Sequence, residues 1–486
     1  MEVKEQRKTG ALINARFFIN GPHYYIVSQK LSGPQQPEDY LNSFSFKTYK
    51  YPEAKLYTDT FLRASVSTHA APDIDKEMRS LIEQTMDATA NNYNGYISYW
   101  PKPKNGLFRS DSTVEMVAVQ VQEFPKYYYI TYSVKFWQNK IETLTGKGDL
   151  FIAGMINSVN EKGFSGFNVS LRDTGNSRSS DKLLLIKDNF KYKISSNTDT
   201  VNGASEFNKM FLNSFRPQPN NEQKNIYESK LPIFFSDLFS KDSALSKKAT
   251  QSVTNLNYGV PGIPLLMHAI NRLSVSDHNY YETKKNMISE LGFIRDSTSS
   301  ILVSHLRSIY DKTADTSLFQ NEVLKSLSGL KTKAAYVQLK ELLLQEPSVL
   351  ENNYDYNSIF SNLEDILKQS AILFLEVMQL ATLDDYKEKV VGLLVELVDS
   401  GYVKVGIYDS YFPGIYIDAV VALKKQKIKD EKAVQEANKL PENEYQNPLR
   451  GYNHSATARE LNNYSIILMP FYERNKNVQS FFNRTL

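Results

Sequence analysis

The hydrophobic periodicity of the chain changes near residue 220, and this change restricts the possible folds more than any other feature. Before it, apolar residues stand in short runs between turn residues, as in strands; from about 228 to 427 they recur at helical spacing. The stretch Arg216-Pro-Gln-Pro-Asn-Asn-Glu-Gln-Lys is rich in Pro and Asn and poor in apolar residues, which favours a domain boundary. We therefore predict an α+β first half and an all-α second half.

Two segments of the first half share the order hairpin, loop, helix. Residues 11–30 form two strand-like runs around Asn20-Gly21-Pro22, and Leu183–Ile186 and Phe190–Ile194 flank a polar turn in the same way. In both segments a predicted helix follows that ends in Leu-Asn-Ser-Phe, at 41–44 and at 212–215. The shared order suggests an internal duplication, with a first module ending near 50 (1–50) and a second module over 51–217.

Further elements of the first half favour antiparallel pairing. Strands are predicted at 114–124, 126–132, 149–157 and 164–172, and helices at 74–90 and at Ser133–Leu144. Consecutive hairpins with helices between them are typical of an α+β fold and not of a doubly wound parallel sheet. The hairpin–helix modules resemble small α+β domains of the PsbP/DcrB type at the level of the fold.

The clearest unit of the second half is an antiparallel helix pair. Phe319, Val323 and Leu327 share a face of one helix, Thr332 is the predicted N-cap of the next, and Pro347 ends it. The pattern recurs about 36 residues upstream, where Leu291 matches Leu327, and Leu302 matches Leu339 after one inserted residue. A period of this length predicts a HEAT- or TPR-like α-solenoid over 228–427.

Three more features complete the predicted organisation of the second half. A helix is predicted over Thr382–Val398, with a capping box of Thr382 and Asp385 and with Gly401 at its exit. A charged, mobile segment is predicted over 428–454, and terminal helices over 455–486. The charge run Lys424–Lys432 is interpreted as a solvated helix face.

Charge and cysteine content exclude several classes of function. The chain has 57 Lys and Arg against 54 Asp and Glu, a net charge of +3. This excess of basic residues is too small to indicate a nucleic-acid partner. Cysteine is absent, which removes disulfides, thiolate metal sites and cysteine nucleophiles. The longest apolar stretches, Ala371–Ala381 and Val390–Val398, are too short for a transmembrane helix. No transmembrane segment is therefore predicted.

The N-terminal sequence suggests a fragment. Its first residues are charged, the apolar run Ala15–Ile19 is short, and no small-residue cleavage site follows, so no signal peptide is predicted. The chain also begins within a strand-like pattern. We expect a longer parent protein whose export signal lies upstream.

No metal, cofactor or catalytic residue is predicted. The six histidines do not stand at ligand spacing, and the GxxH match at 451–454 is expected by chance; they are His23, His69, His268, His278, His305 and His454. His268 and His305 are interpreted as partly buried structural imidazoles.

Short motifs that suggest enzymes have simpler interpretations. Asp173-Thr-Gly175 and Asp399-Ser-Gly401 match the paired loops of aspartic proteases, but we interpret the first as a polar turn and the second as a helix end. Gly163-Phe-Ser-Gly166 lacks the spacing of a nucleophile elbow, and Gly146-Lys-Gly148 follows a helix where a phosphate loop precedes one.

A tyrosine-rich segment could bind a sugar or a peptide. Its aromatic residues are Tyr127, Tyr128, Tyr129 and Tyr132, together with Trp100 and Trp137. Such residues more often fill a thin core and its rim.

Several segments together resemble the long C-terminal extension of certain bacterial TraB/GumN-family proteins. They are Gly21-Pro-His-Tyr-Tyr-Ile, Tyr40-Leu-Asn-Ser-Phe-Ser-Phe, Asp59-Thr-Phe-Leu-Arg, Tyr99-Trp-Pro-Lys-Pro-Lys, Phe124-Pro-Lys-Tyr-Tyr-Tyr, Leu171-Arg-Asp-Thr-Gly and Ala314-Asp-Thr-Ser-Leu-Phe-Gln-Asn-Glu-Val-Leu-Lys. The resemblance covers most of the chain and links the parent protein to metal-dependent proteolysis in a preceding domain. The paired GxxH motifs of that domain are missing here, so the resemblance implies no catalytic residue in this chain.

Three hypotheses about function follow. The first is a non-catalytic protein-interaction or scaffold region of an extracytoplasmic bacterial protein, in the periplasm or cell envelope, with a protein partner. The second is a hydrolase or metallopeptidase whose site forms only in the fold. The third is a carbohydrate- or peptide-binding module on the tyrosine-rich sheet, which requires Tyr127–Tyr129 to be exposed side by side.

Overall fold

The chain divides into two compact units, Met1–Ile233 (unit 1) and Phe234–Leu486 (unit 2). The computed structural model describes residues 2–6, 12–20, 23–31, 38–47, 49–70, 72, 99–145, 150–159, 164–218, 225–294, 300–313, 316–349, 353–374, 376–437 and 456–485. The described part of unit 1 contains antiparallel sheets and helices, and that of unit 2 is helical. An α+β region followed by an all-α region is therefore confirmed.

The described residues of unit 1 form three sheets, in which every strand pair is antiparallel. The first is β1-β2-β3, with β1 (Glu2–Gln6), β2 (Leu12–Asn20) and β3 (His23–Leu31). The second, β6-β7-β11-β10-β9-β8, consists of β6 (Lys104–Arg109), β7 (Met116–Glu123), β8 (Leu150–Val159), β9 (Ser165–Asp173), β10 (Arg178–Lys187) and β11 (Phe190–Asp199). The third joins β4 (Lys55–Asp59), β5 (Ala64–Thr68) and β12 (Arg216–Pro217).

The six-stranded sheet packs against a helix on each face. The described helices of unit 1 are α1 (Glu38–Asn42), α2 (Ser133–Thr145) and α3 (Glu206–Ser214). Helix α4 (Leu231–Leu238) contains the division between the units. Leu183 and Leu185 pack in a core with Phe207 and Phe211 of α3, whereas Leu184 packs in another core with residues of α2. Because successive side chains of a strand point to opposite faces, the continuous apolar run of β10 reflects a strand buried on both sides.

Most predicted elements of unit 1 are present. Both predicted hairpins form, the Leu-Asn-Ser-Phe tetrapeptide ends α1 and α3 in the two segments, and the strands at 149–157 and 164–172 correspond to β8 and β9. The helix predicted at 74–90 lies outside the described residues.

The strand predicted at 126–132 is wrong. Pro125 has no N–H to continue a ladder, and its carbonyl oxygen accepts a hydrogen bond from the N–H of Tyr128 (3.0 Å), which closes a turn. Ile130 then makes a single backbone hydrogen bond to Ile226 (2.9 Å). The aromatic residues at 126–132 are typical of a strand, but the sequence does not reveal that no described strand pairs with them.

The described residues of unit 2 form helices. They are α5 (Ser243–Thr250), α6 (Gly259–Arg272), α7 (Tyr280–Phe293), α8 (Ser300–Lys312), α9 (Ser317–Leu330), α10 (Lys333–Gln345), α11 (Asn353–Glu364), α12 (Leu367–Ser370), α13 (Asp384–Asp399), α14 (Val405–Tyr408), α15 (Phe412–Ala437), α16 (Ala456–Leu468) and α17 (Lys476–Thr485). Short 3₁₀ helices lie at Val253–Asn255, Ala371–Leu373, Glu376–Thr382, Asp409–Tyr411 and Met469–Arg474. No described helix is both long enough and apolar enough to cross a membrane.

The predicted helix pair α9–α10 is confirmed. The hydroxyl of Thr332 accepts a hydrogen bond from the N–H of Ala335 (3.2 Å), as an N-cap does, and Phe319, Val323 and Leu327 are buried. Helix α9 contacts both α7 and α11, and α11 contacts α13.

Hydrogen bonds between these helices join residues at similar separations. The hydroxyl of Ser326 donates to the carbonyl oxygen of Ile288 (2.8 Å), 38 residues earlier, and Tyr310 donates to that of Glu346 (2.6 Å), 36 residues later. Lys331 forms an ion pair with Asp365, 34 residues later. Contacts between helices therefore recur near the interval at which the sequence pattern recurs.

The capping box predicted at Thr382 and Asp385 is wrong, although the predicted helix itself is present as α13. Thr382 ends a 3₁₀ helix, and its hydroxyl donates to the carbonyl oxygen of Gln379 (2.8 Å) instead of capping α13. The predicted exit is confirmed, since Gly401 has a φ of +73° and its N–H donates to Val398 (3.0 Å).

Helix α15 continues through residue 427, the predicted end of the solenoid, to Ala437. The exposed positions in Lys424–Lys432 agree with a solvated face, and only Gln426 is buried there. Residues 438–454 of the predicted mobile segment lie outside the described residues.

Candidate functional sites

A cleft of about 760 Å³ in unit 1 brings together four segments that are far apart in sequence. We call it the Tyr51 cleft. It is lined by the β2–β3 hairpin, the stretch after α1, the turn between β6 and β7, and the loop before α3. The lining residues are Asn20, His23, Tyr24, Tyr25, Phe46, Lys47, Tyr49, Tyr51, Ser112, Thr113, Val114, Glu115, Asn202, Gly203 and Ser205.

Hydrogen bonds fasten the hairpin to the six-stranded sheet at this cleft. A ring nitrogen of His23, Nε2, lies 3.1 Å from the carbonyl oxygen of Thr113, and Nδ2 of Asn202 donates to the carbonyl oxygen of Ile19 (3.2 Å). The buried carboxylate of Asp199 accepts the N–H groups of Val201 (2.8 Å) and Asn202 (2.5 Å). The walls of the cleft are therefore tied together by polar contacts.

The base of the Tyr51 cleft contains a buried carboxylate. Oε2 of Glu115 accepts the hydroxyl of Tyr51 (2.5 Å) and that of Thr113 (2.8 Å), and the Glu115 side chain is almost fully buried. Its other oxygen, Oε1, accepts no hydrogen bond from a residue that the structure describes. Oε1 is therefore an acceptor that a ligand could use.

Burial and the hydrogen bond to Glu115 raise the pKa of Tyr51 to about 12. The hydroxyl therefore keeps its proton at neutral pH and acts as a donor, not as a base or a nucleophile. The imidazole of His69 stacks on the Tyr51 ring at 5.0 Å between ring centroids, and its Nδ1 lies 2.5 Å from the carbonyl oxygen of Pro52. This stacking fixes the orientation of Tyr51.

The turn that presents Glu115 is strained. Val114 has a φ of +58°, which is rare for a β-branched residue. The turn is closed by hydrogen bonds from the N–H of Val114 to Ser110 (2.7 Å) and from the N–H of Ser110 to Glu115 (2.9 Å). Strain of this kind often marks a site where one side chain must be held in position.

A second candidate surface lies on α15. Ile417, Val421, Lys424 and Ile428 recur at i, i+4, i+7 and i+11, so they lie on one face of the helix. The three apolar side chains are exposed, at 62%, 43% and 54% respectively. Lys425, Lys427 and Lys429 flank them and are also exposed, and Lys425 forms an ion pair with Glu460 of α16 (3.8 Å). We call this surface the α15 stripe.

The opposite face of α15 is its packing face. Ile415, Ala419 and Leu423 are buried there, and α15 contacts α16. Lys387 of α13 forms an ion pair with Asp418 (2.8 Å). The contacts that hold α15 in unit 2 are thus made by residues outside the α15 stripe.

The histidines are dispersed. His23 lines the Tyr51 cleft and His69 stands behind it, whereas His278 is exposed and His454 lies outside the described residues. His305 is half-buried, and burial together with Lys312 lowers its pKa, in agreement with a structural imidazole. His268 is exposed, so its predicted partial burial is wrong; the buried face of α6 carries Ile263, Leu266 and Ile270. Among the described residues no group of three or more His, Asp or Glu could hold a metal ion.

The two Asp-Ser/Thr-Gly segments have the local roles that their context predicted. Asp173 accepts the N–H of Gly175 (2.8 Å) and the side chain of Asn176 (2.7 Å) in a turn, and these bonds, with Arg178, lower its pKa. Asp399 ends α13 in unit 2. Gly146, Lys147, Gly148 and Gly163 lie outside the described residues, and Ser165 bonds to the hydroxyl of Tyr227 (2.6 Å).

The rings at 127–129 do not form an exposed row. Tyr127 is buried, and Tyr128 is half-buried in a stack with Phe124 (5.2 Å between ring centroids) beside Trp100. Tyr132 is exposed. Tyr127 and Tyr128 therefore belong to a core and its rim. A group of exposed aromatic rings does line the Tyr51 cleft, and the sequence interpretation missed it.

No protein-family model matches the chain, and a search of the curated proteins finds no similar sequence.

Proposed function

We propose that this chain is a non-catalytic protein-interaction region that binds a partner through its helical unit. In this proposal it belongs to a larger bacterial protein of the TraB/GumN type and works in the periplasm or cell envelope. The α15 stripe carries the proposal, because it is an apolar helix face that the described helices of unit 2 leave exposed.

The arrangement of unit 2 supports the same proposal. We infer that α7 to α13 form a HEAT- or TPR-like solenoid, because successive helices of one layer are in contact and their hydrogen bonds join residues about 36 positions apart. Solenoids of this kind commonly expose long surfaces to protein partners.

The occupant that best fits the α15 stripe is an amphipathic helix with acidic flanks. Apolar residues at i, i+4 and i+11 match the apolar face of a second helix. Lys427 and Lys429, which flank the stripe on its two sides, favour carboxylates on the partner. A basic partner would be repelled by Lys427 and Lys429.

Ile417→Glu should weaken this interaction at least about tenfold, because it removes a buried apolar contact and places a carboxylate against an acidic partner. The control is Ile301→Glu on α8, since Ile301 is exposed to the same extent, 64% against 62%. The measurement is fluorescence anisotropy of a labelled, designed helical peptide that has one leucine face and glutamates beside it. Binding should also weaken as salt concentration rises.

Three results would contradict the proposal. The peptide could bind both glutamate variants equally, it could bind only at very low salt without any effect of Ile417, or it could fail to bind. Cleavage of a protein substrate by the purified chain, with or without zinc or manganese, would instead favour the hydrolase alternative.

A further inference from the structure

The Tyr51 cleft of unit 1 combines exposed aromatic rings with small polar side chains, and we propose that it binds a neutral oligosaccharide. This site is separate from the α15 stripe, and its function does not depend on the scaffold proposal. Its volume of about 760 Å³ lies within the range of small-ligand sites, roughly 300–1,000 Å³.

Aromatic rings supply the first element of recognition. Tyr24, Tyr25, Phe46 and Tyr49 line the cleft and remain exposed, although large rings are usually buried. The face of an aromatic ring is electronegative, and the C–H bonds on one face of a pyranose ring are weakly electropositive, so the two stack. Tyr25 and Phe46 contact each other edge to face at 5.3 Å, which limits their movement before a ligand arrives.

Polar groups supply the second element. Hydroxyls and amides such as those of Ser112, Ser205 and Asn20 both donate and accept hydrogen bonds, as sugar hydroxyls do. The free oxygen of Glu115, Oε1, offers a strong acceptor at the base of the cleft, since a hydrogen bond to a carboxylate is stronger than one to a neutral oxygen. Its position is fixed before binding by Tyr51 and Thr113.

The charges of the cleft favour a neutral ligand. Among the described lining residues one carboxylate, that of Glu115, stands against one ammonium group, that of Lys47. A site for an anionic sugar or a phosphate would concentrate positive charge, and a site for a cation would concentrate negative charge. Here neither sign dominates, while groups that match hydroxyls are numerous.

The test is titration calorimetry of the full chain with neutral oligosaccharides from the cello-, malto-, manno- and N-acetylchito- series, with oligogalacturonate as the charged comparison. Tyr24→Ala should weaken the binding of a neutral sugar roughly 5- to 10-fold by removing one stacking ring. Tyr132→Ala is the control, since Tyr132 is an exposed tyrosine of the same unit that does not line the cleft. Glu115→Gln keeps the size of the side chain and should weaken binding roughly 5-fold by replacing a charged acceptor with a neutral one.

The outcome for Tyr24 decides the matter even if the buried Glu115 variant fails to fold. Saturable binding of a neutral sugar that Tyr24→Ala weakens and Tyr132→Ala leaves unchanged supports the proposal. Absence of binding across the panel, binding that both variants retain in full, or preference for oligogalacturonate would overturn it. None of these results bears on the α15 stripe.

Discussion

Gly292→Ala should lower the free energy of unfolding of unit 2 by about 2 kcal/mol, whereas the same substitution at Gly392 should raise it by about 0.5–1 kcal/mol. Both glycines lie within helices, α7 and α13 respectively. A Cβ at Gly292 would lie 2.7 Å from the Cα of Ser326 and 3.1 Å from its carbonyl oxygen, but a Cβ at Gly392 would have no neighbour within 4 Å.

The opposite signs follow from one close contact between α7 and α9. Ser326 of α9 also donates a hydrogen bond to Ile288 of α7 (2.8 Å), and Gly329 lies near the carbonyl oxygen of Gly292. Alanine at 292 must separate the two backbones and weaken this hydrogen bond, which outweighs the gain in helix propensity. At 392 only the gain remains.

Urea unfolding followed by far-ultraviolet circular dichroism measures both variants, because the helical signal comes mainly from unit 2. Tryptophan fluorescence follows unit 1 separately, since Trp100 and Trp137 both lie there. Equal midpoints for Gly292→Ala and Gly392→Ala would show that α7 and α9 do not meet as described. A gain at Gly292 would show the same.

Features that depend on neighbouring residues in sequence could be predicted. The cap at Thr332 and the left-handed Gly401 follow from local rules, and the helical period of α9 and α10 located their buried faces. The errors at 126–132 and at Thr382 have one origin. In each case the local sequence fits the predicted strand or helix start, but the described neighbouring residues in the fold supply no partner strand at 126–132 and start the helix after Thr382.

The Tyr51 cleft could not be predicted in this way, because its lining comes from four segments spread over about 185 residues. One signal was nevertheless present. The inward-facing residues of β7 are Val117, Val119 and Val121. Glu115 stands two residues before Val117, so the alternation of the strand places it on the same face. A carboxylate on a buried face needs hydrogen-bonding partners, so this position predicts a polar site. The partners themselves, Tyr51 and Thr113, are visible only in the fold.

The α15 stripe could not be predicted from the sequence either. The charges of Lys424–Lys432 indicate a solvated helix face, and that part of the prediction agrees with the structure. Which apolar residues of α15 remain uncovered depends on the packing of α16, which the helical period alone does not specify. The period gives the faces of a helix but not which face has a partner.

Glu290→Gln should stabilise unit 2 by about 2 kcal/mol at pH 8 and change its stability little at pH 4 to 5, a figure that allows for partial solvent screening. Burial raises the pKa of Glu290 to about 7, and its carboxyl group makes no hydrogen bond or ion pair with a described residue. In the unfolded chain the pKa is near 4.5. Between these values the folded state holds more protons than the unfolded state, so stability falls as pH rises through this window and levels off above it.

The measurement is the free energy of urea unfolding, by circular dichroism, at several pH values from about 4.5 to 8. The difference between wild type and Glu290→Gln isolates this one group from the other titrating residues. Glu388→Gln provides the control, because that side chain is 88% exposed on α13, so it tests whether loss of any negative charge has the same effect. A constant difference between wild type and Glu290→Gln across the range would mean that the Glu290 carboxyl is solvated in the folded chain. If the difference in free energy of unfolding grows with pH for Glu290→Gln but not for Glu388→Gln, the helical unit contains an uncompensated carboxylate at neutral pH. Protonation of Glu290 would then stabilise unit 2 as the pH falls.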